Sequence, residues 1–145
     1  MLVVRNFKYR LSPKGTVTKR LAETLDTCRW VYNQVLELRI KAYKDEQKTI
    51  SCYDCCKITK NFDLKNPVHS QVIQNVSMRV ELAFQGFFRR LKSKPGAKPG
   101  FPRFKGKDRY DSFTFPQTGF SLNGNKLYLS KIGDVKLNLH RKLEG

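Results

Sequence analysis

The cations between Arg89 and Arg109 are the residues whose types and spacing most directly suggest chemistry. Arg89, Arg90, Lys92, Lys94, Lys98, Arg103, Lys105, Lys107 and Arg109 face a single acid, Asp108. Phe101, Phe104 and Tyr110 are interleaved with them, and Phe113 and Phe115 follow. Cations that meet phosphates beside rings that stack on bases suit a nucleic-acid strand whose backbone is tracked. Arginine can also fork onto phosphate or onto guanine edges. A solvated charged loop is the competing reading. The Phe101-Pro102-Arg103-Phe104 run argues against it, because two rings either side of Pro-Arg imply a packed or docked segment.

Catalytic chemistry finds no comparable support. A metal-dependent nuclease needs several carboxylates converging on divalent ions. Asp26, Asp54, Asp63, Glu81, Asp108, Asp111 and Asp134 share no motif, and most fall on expected solvent faces of helices or in turns. No glycine-rich phosphate loop and no Ser/His/Asp order is present. Cys52, Cys55 and Cys56 form a C-x-x-C-C cluster with Cys28 on another segment, and His69 and His140 are isolated from one another. A zinc site wants a second ligand pair, so buried helix thiols are expected instead. The chain is thus expected to hold no catalytic residue, no metal and no cofactor.

Charge points the same way as the basic segment. Lysine and arginine number 29 against 12 acids in 145 residues, a net charge of +17. Self-repulsion of that size calls for a polyanionic partner. A membrane is the rival polyanion, yet no apolar run approaches the roughly 20 residues that span a bilayer. With no apolar signal core at the amino terminus, and thiols suited to a reducing compartment, a cytoplasmic protein is expected.

Certain elements must position these residues. Residues 2–11 alternate, with Val3, Phe7, Tyr9 and Leu11 on one face and Lys8 and Arg10 on the other, which predicts a half-buried strand. Ser12-Pro13 then offers a helix start, or the helix begins nearer Thr16 because of Gly15. To about Glu46 an amphipathic stripe runs through Leu21, Leu25, Cys28, Tyr32, Val35, Leu38 and Ala42, with Arg29, Arg39, Lys41 and Lys44 on the other sides. Ser51 can cap a second helix reaching about Phe62. Asn66-Pro67 opens a third, striped by Val72, Val76, Val80, Ala83, Phe84, Phe87 and Leu91. Three striped helices predict a small bundle. Pro95, Gly96, Pro99, Gly100 and Pro102 forbid a regular helix through the linker that follows. Ser112–Phe115 reads as a short strand, Asn123-Gly124 as a hairpin turn, and Val135, Leu137 and Leu139 as another strand. The expected fold class is α+β, a partial β-barrel whose first strand pairs with the late ones, split by the helical bundle.

The order of these pieces resembles the TnpB (OrfB) family of transposon-encoded RNA-guided DNA endonucleases. The resemblance is carried by Phe7-Lys8-Tyr9-Arg10-Leu11 with Pro13, then Cys28-Arg29-Trp30-Val31-Tyr32-Asn33 with Leu36. Ala83-Phe84, Phe87-Phe88-Arg89, Gly100-Phe101-Pro102-Arg103-Phe104-Lys105 and Ser112-Phe113-Thr114-Phe115 continue it. The R-[FW]-V-Y-N and F-P-R-F-K boxes, about seventy residues apart, are specific in combination.

The resemblance implies a wedge domain of oligonucleotide-binding-like type split by a recognition lobe. Residues 1–12 would form the first wedge strand, 13–92 the helical lobe, 93–110 the basic linker, and 111–145 an incomplete remainder of the wedge. It implies guide RNA and double-stranded target DNA as partners, with no membrane and no small-molecule substrate. Such a protein reads a short transposon-adjacent motif and leaves the rest of the target to base pairing. Tyr53, Ser70, Gln71, Gln74, Thr114 and Phe115 match motif-reading positions. Lys8, Arg10, Arg89, Arg90, Lys92, Arg103, Lys105 and Lys107 would bind phosphate or RNA. Glutamine can bond adenine bidentately, and a threonine methyl can meet a thymine methyl. The family pattern has a lysine and an aromatic where this chain carries Ser70 and Gln71, which bears on the motif preferred. The family's RuvC-like nuclease and zinc ribbon, with their Mg and Zn, are expected beyond Gly145. A stand-alone helix-turn-helix repressor or transposition accessory is the alternative.

Overall fold

A computed structural model describes residues 1–93 and 100–142. The elements run β1 (Arg10–Ser12), α1 (Thr16–Glu46), α2 (Cys52–Thr59), α3 (Ser70–Ser93), β2 (Phe120–Asn123), β3 (Lys126–Leu129) and β4 (Gly133–Asn138). The class is α+β: three helices and a four-stranded antiparallel sheet.

The sheet order is β1-β4-β3-β2, so the first strand pairs with the last, with Leu11 opposite Leu137. β1 and β2 are the edges and do not pair with each other, which makes the sheet open. Gly124, at φ 59°, closes the β2–β3 hairpin, where Asn123 faces Lys126. The Asn-Gly signal works here because the tight turn needs a left-handed residue that glycine adopts without strain. The next turn uses Lys131 at φ 69° and Gly133 at φ 122°. Val135 and Leu137 then point inward while Lys136 and Asn138 face solvent, as the alternation predicts. The amino-terminal strand is shorter than its alternating pattern, since only Arg10–Ser12 finds a ladder partner. Ser112–Phe115 joins no sheet.

α2 and α3 begin where a side chain accepts one of their free N–H groups, whereas α1 starts after Gly15 with no side-chain cap. The Ser51 hydroxyl accepts from the Asp54 N–H at 3.1 Å, the N-cap of α2. α3 starts at Ser70 instead of at Asn66-Pro67, because the His69 Nδ1 accepts from the Gln71 N–H at 3.2 Å and the His69 carbonyl begins the helical ladder. The principal core joins α1, α2 and α3 through Val31, Tyr32, Val35, Leu36, Cys55, Val72, Val76, Val80, Phe84 and Phe87. A second cluster, Leu129, Ile132 and Val135, receives Val17 and Leu21 from the first turns of α1. Each such side chain, fully buried, contributes about 1.5–3 kcal/mol. Phe113 and Phe115 pack against both clusters and so join the bundle to the sheet.

One buried residue of α1 is charged. Arg39 was expected on an outer side, yet it is 2% exposed, ion-paired to Glu81 of α3, with its guanidinium 4.4 Å from the Phe84 ring centre. Helical geometry explains it: position 39 stands about three full turns above Cys28, at the centre of the buried face, whereas Leu38 falls at the margin of that face and is 37% exposed. Residue type had masked position.

Candidate nucleic-acid interface

Two segments distant in sequence converge on α3. The extended stretch 110–118 crosses its first half and is fastened there by side chains. The Arg79 guanidinium donates to the Ser112 carbonyl at 2.8 Å and to the Thr114 hydroxyl at 3.2 Å, and its Nε donates to Asn75 Oδ1 at 3.2 Å. About two turns earlier, Gln71 Oε1 accepts from the Thr118 N–H at 2.8 Å. The His69 and Phe115 rings lie 5.6 Å apart. Gly119, at φ 92°, leaves room for that ring pair: a Cβ there would sit 2.9 Å from both.

Ser70, Gln71, Gln74, Thr114 and Phe115 are thereby brought to one region of α3, while Tyr53 stands apart on α2. Ser70 and Gln74 are exposed on the first turns of α3, beside Gln71 and its bond to Thr118. Thr114 is exposed but its hydroxyl is already engaged by Arg79, which leaves its methyl as the free group. Phe115 is half-buried, and its ring packs on His69, Phe113 and Phe120. Tyr53, 70% exposed on α2, has the Lys57 ammonium 4.4 Å from its ring centre. α2 meets α3 through the Cys56 thiol, 4.0 Å from the Gln74 carbonyl.

The predicted phosphate-binding cations occupy three places. Arg89, Arg90 and Lys92 are exposed in the last turns of α3, where the helix dipole also favours positive charge. Lys8 and Arg10 lie exposed at the β1 edge, flanking Tyr9, whose hydroxyl donates to the Arg141 carbonyl at 2.9 Å. Arg103, Lys105 and Lys107 lie in the linker, of which residues 94–99, with Lys94, Pro95, Gly96, Lys98 and Pro99, lie outside the described residues. None of these eight has an ion-pair partner among the described residues.

The end of that linker is packed. Phe101 stacks on Phe87 with centroids 4.8 Å apart and meets Tyr43 edge-on at 5.9 Å. The Asn33 amide holds the Lys105 backbone from both sides, and the Lys105 ammonium lies 5.6 Å from the Tyr32 ring centre. Arg103, Phe104, Lys105 and Arg109 form one concavity, and Tyr32, Arg79, Lys105, Arg109, Tyr110 and Asp111 line a second. Arg79 was not among the predicted site residues, and Arg109 and Tyr110 belonged to the basic, aromatic run without an assigned role. The signal for Arg79 was a cation beside the apolar stripe with no acid three or four residues away.

The cysteines are helix thiols. Cys28 and Cys55 are buried, and burial pushes them up to about 12 and about 11, with the nearby charges of Arg79 and Arg39 opposing the rise. Such thiols stay protonated and unreactive at neutral pH. No cluster of three or more His, Cys, Asp or Glu side chains among the described residues could hold a metal ion. No helix among them is long and apolar enough to cross a membrane.

Fold and surface define a cationic α+β protein with a helical core and an open sheet, its unpaired cations beside a segment fastened across α3. Comparison with known proteins gives the relationship. Residues 1–48, which hold β1 and α1, match the family described as a helix-turn-helix domain of OrfB type. A protein of Streptomyces pristinaespiralis named "Putative RNA-guided DNA endonuclease" is 28% identical over 139 residues, covering 91% of this chain and 33% of its own length. "Putative RNA-guided DNA endonuclease InsQ" of Escherichia coli (strain K12) is 26% identical over 148 residues, 96% of this chain and 35% of its own. The chain therefore spans about a third of the length of the curated relatives it matches. Similarity over most of the chain bears out the resemblance drawn from the two boxes.

Proposed function

We propose that this chain binds a guide RNA and target DNA as the amino-terminal portion of an RNA-guided transposon nuclease, and that it does not cut. The observation that carries the reading is the fastening of segment 110–118 across α3 by Arg79 and Gln71. It sets Ser70, Gln71, Gln74, Thr114 and Phe115 in one region, so that one short DNA motif can meet them together. Gln74 would bond a base edge and the Thr114 methyl would contact a thymine methyl, while base pairing with the RNA would read the remaining target. Arg89, Arg90, Lys92, Arg103, Lys105 and Lys107 would hold phosphates, as would Lys8 and Arg10.

On this reading the open sheet is part of a wedge barrel and residues 13–92 are the recognition lobe. Metal-dependent cleavage, with its Mg and Zn, belongs to the remainder of the longer relatives. No three His, Cys, Asp or Glu side chains among the described residues are grouped to hold a metal ion, and no reaction step is assigned to them.

Binding of structured RNA and of duplex DNA, each over a salt series, tests the proposal. Affinity should fall steeply with salt, by roughly 0.9 in log K per phosphate contacted on a duplex for each decade of salt. Gln74→Ala and Thr114→Ala should each cost about 1–3 kcal/mol of discrimination between DNA sequences and leave RNA binding intact. Equal loss on every sequence would undercut the base-reading assignment. Cleavage of DNA by this chain with Mg²⁺ added would refute the inactivity.

The matched family description favours a second reading, a stand-alone helix-turn-helix DNA binder. Residues 60–69 separate α2 from α3, longer than the 3–4-residue turn typical of that motif. Tight, sequence-selective duplex binding without RNA would establish the second reading over the first.

A further inference from the structure

We propose that the cavity between α1, α3 and the 105–111 loop is a discrete site for one phosphate group, with Lys105, Arg109 and the Tyr110 hydroxyl as its donors. The cavity measures about 220 Å³ and is lined by Tyr32, Arg79, Lys105, Arg109, Tyr110 and Asp111. The inference rests on the nucleic-acid reading above and adds to it a specific seat for the backbone.

Three observations converge. Tyr110 is 7% exposed, and its hydroxyl is buried with no acceptor for its proton, the neighbouring Arg79 guanidinium being itself a donor. An orphaned buried hydroxyl costs about 1–3 kcal/mol, which a native fold seldom retains without a use. Burial pushes that hydroxyl up to about 12, so it keeps its proton at neutral pH and is a donor in search of an acceptor.

The charge around it is positive and uncommitted. Lys105 and Arg109 have no carboxylate partner among the described residues. Arg79 adds a third cation 5.3 Å from the Tyr110 ring centre, its own nitrogens already bonded to Asn75, Ser112 and Thr114. It serves as fixed charge and scaffold. Asp111 lines the same cavity and opposes an anion, but three cations outnumber it.

The donors are also held in place. The Asn33 amide clamps the Lys105 backbone, and the Arg109 N–H donates to the Gly106 carbonyl at 3.1 Å, closing the loop between them. A diffuse basic surface needs no such scaffolding.

Tyr110→Phe separates a built site from diffuse charge, because it removes one hydroxyl and no charge. Two arms use the full chain. Thermal stability is measured against inorganic phosphate at constant ionic strength, and affinity for structured RNA and duplex DNA is measured by titration. Phosphate should raise the melting temperature of the wild type, and Tyr110→Phe should abolish the rise. The same variant should bind nucleic acid about tenfold more weakly, and Arg109→Gln should reduce the salt slope by about 1.

Loss of the phosphate response with unchanged nucleic-acid affinity would keep the site and assign it to free phosphate instead of a backbone. Equality of Tyr110→Phe with the wild type in both arms would overturn the proposal. A wild-type chain that binds no nucleic acid would sink the reading above, and the inorganic phosphate arm would then decide this site alone.

Discussion

Asn33 grips Lys105 by both ends of its side-chain amide, Oδ1 accepting from the backbone N–H at 2.8 Å and Nδ2 donating to the carbonyl at 2.9 Å. The pair joins the middle of α1 to the loop carrying the basic residues, 72 positions later. Loops normally lose such backbone groups to water. Here one asparagine substitutes for a strand partner and sets the position of the loop.

Asn33→Ala should therefore destabilise the chain by about 1–3 kcal/mol, since two partly buried backbone groups lose their partners. Limited proteolysis should find residues 100–110 cut much sooner than in the wild type. Asn33→Asp keeps the acceptor only and should fall between. An alanine variant with wild-type urea stability and cleavage would show the clamp to be dispensable.

The Arg39–Glu81 pair ties α1 to α3 with one partner buried and the other partly exposed. Arg39→Met should cost about 3 kcal/mol, because it leaves Glu81 without its cation. Replacing both, Arg39→Met with Glu81→Leu, should recover most of that loss. Urea denaturation of the wild type and the two variants measures it. A single variant as stable as the wild type would contradict the pairing.

Burial raises Cys28 to about 12 from 9.0 and Tyr110 to about 12 from 10.0. The unfolded chain ionises these groups first, so their contribution is complete below about pH 9 and is lost as pH rises toward 12. Lysine titration acts in the same range, so the comparison must be between variants. Cys28→Ala should be less stable than the wild type at about pH 7 through its cavity, yet lose less stability between about pH 8 and pH 10.5. Alkylation of the native chain should label the half-buried Cys52 and Cys56 before the buried Cys28 and Cys55. Parallel pH slopes for the two proteins would refute the assignment.

Gly119 sits at φ 92°, where a Cβ would lie 2.9 Å from His69 and from Phe115. Gly119→Ala should cost about 1–3 kcal/mol through backbone strain and displacement of the ring pair. Gly124 also has positive φ, but open space around it, so Gly124→Ala should cost only about 1 kcal/mol. Chemical denaturation of both checks the order. A cost at Gly119 no larger than at Gly124 would mean that the ring pair yields freely.

Local physics accounts for what was legible in the residues. The Ser51 cap, the span of α1, the Gly124 turn and the inward alternation of Val135 and Leu137 depend on neighbours within a few positions. The pairing of the first strand with late ones is long-range, yet it was legible too, since a lone early strand has nowhere else to find a ladder. Charge read as solvated was the main source of error, because Arg39 occupies a core position through a partner on another helix.

The sequence by itself determined a highly cationic α+β chain with three amphipathic helices, a β-hairpin and two boxes that mark its relatives. Only the tertiary structure decided that Ser112–Phe115 lies across α3 in place of joining the sheet, that Asn33 clamps Lys105, and that Arg79, Arg109 and Tyr110 share a cavity. Periodicity reports which face of an element is buried, and says nothing about which distant donor meets which acceptor. Those pairings arise when the helices pack and the chain returns to them, so Arg79 carries no local pattern of its own, and the basic, aromatic run does not say that its Arg109 and Tyr110 share a cavity with it.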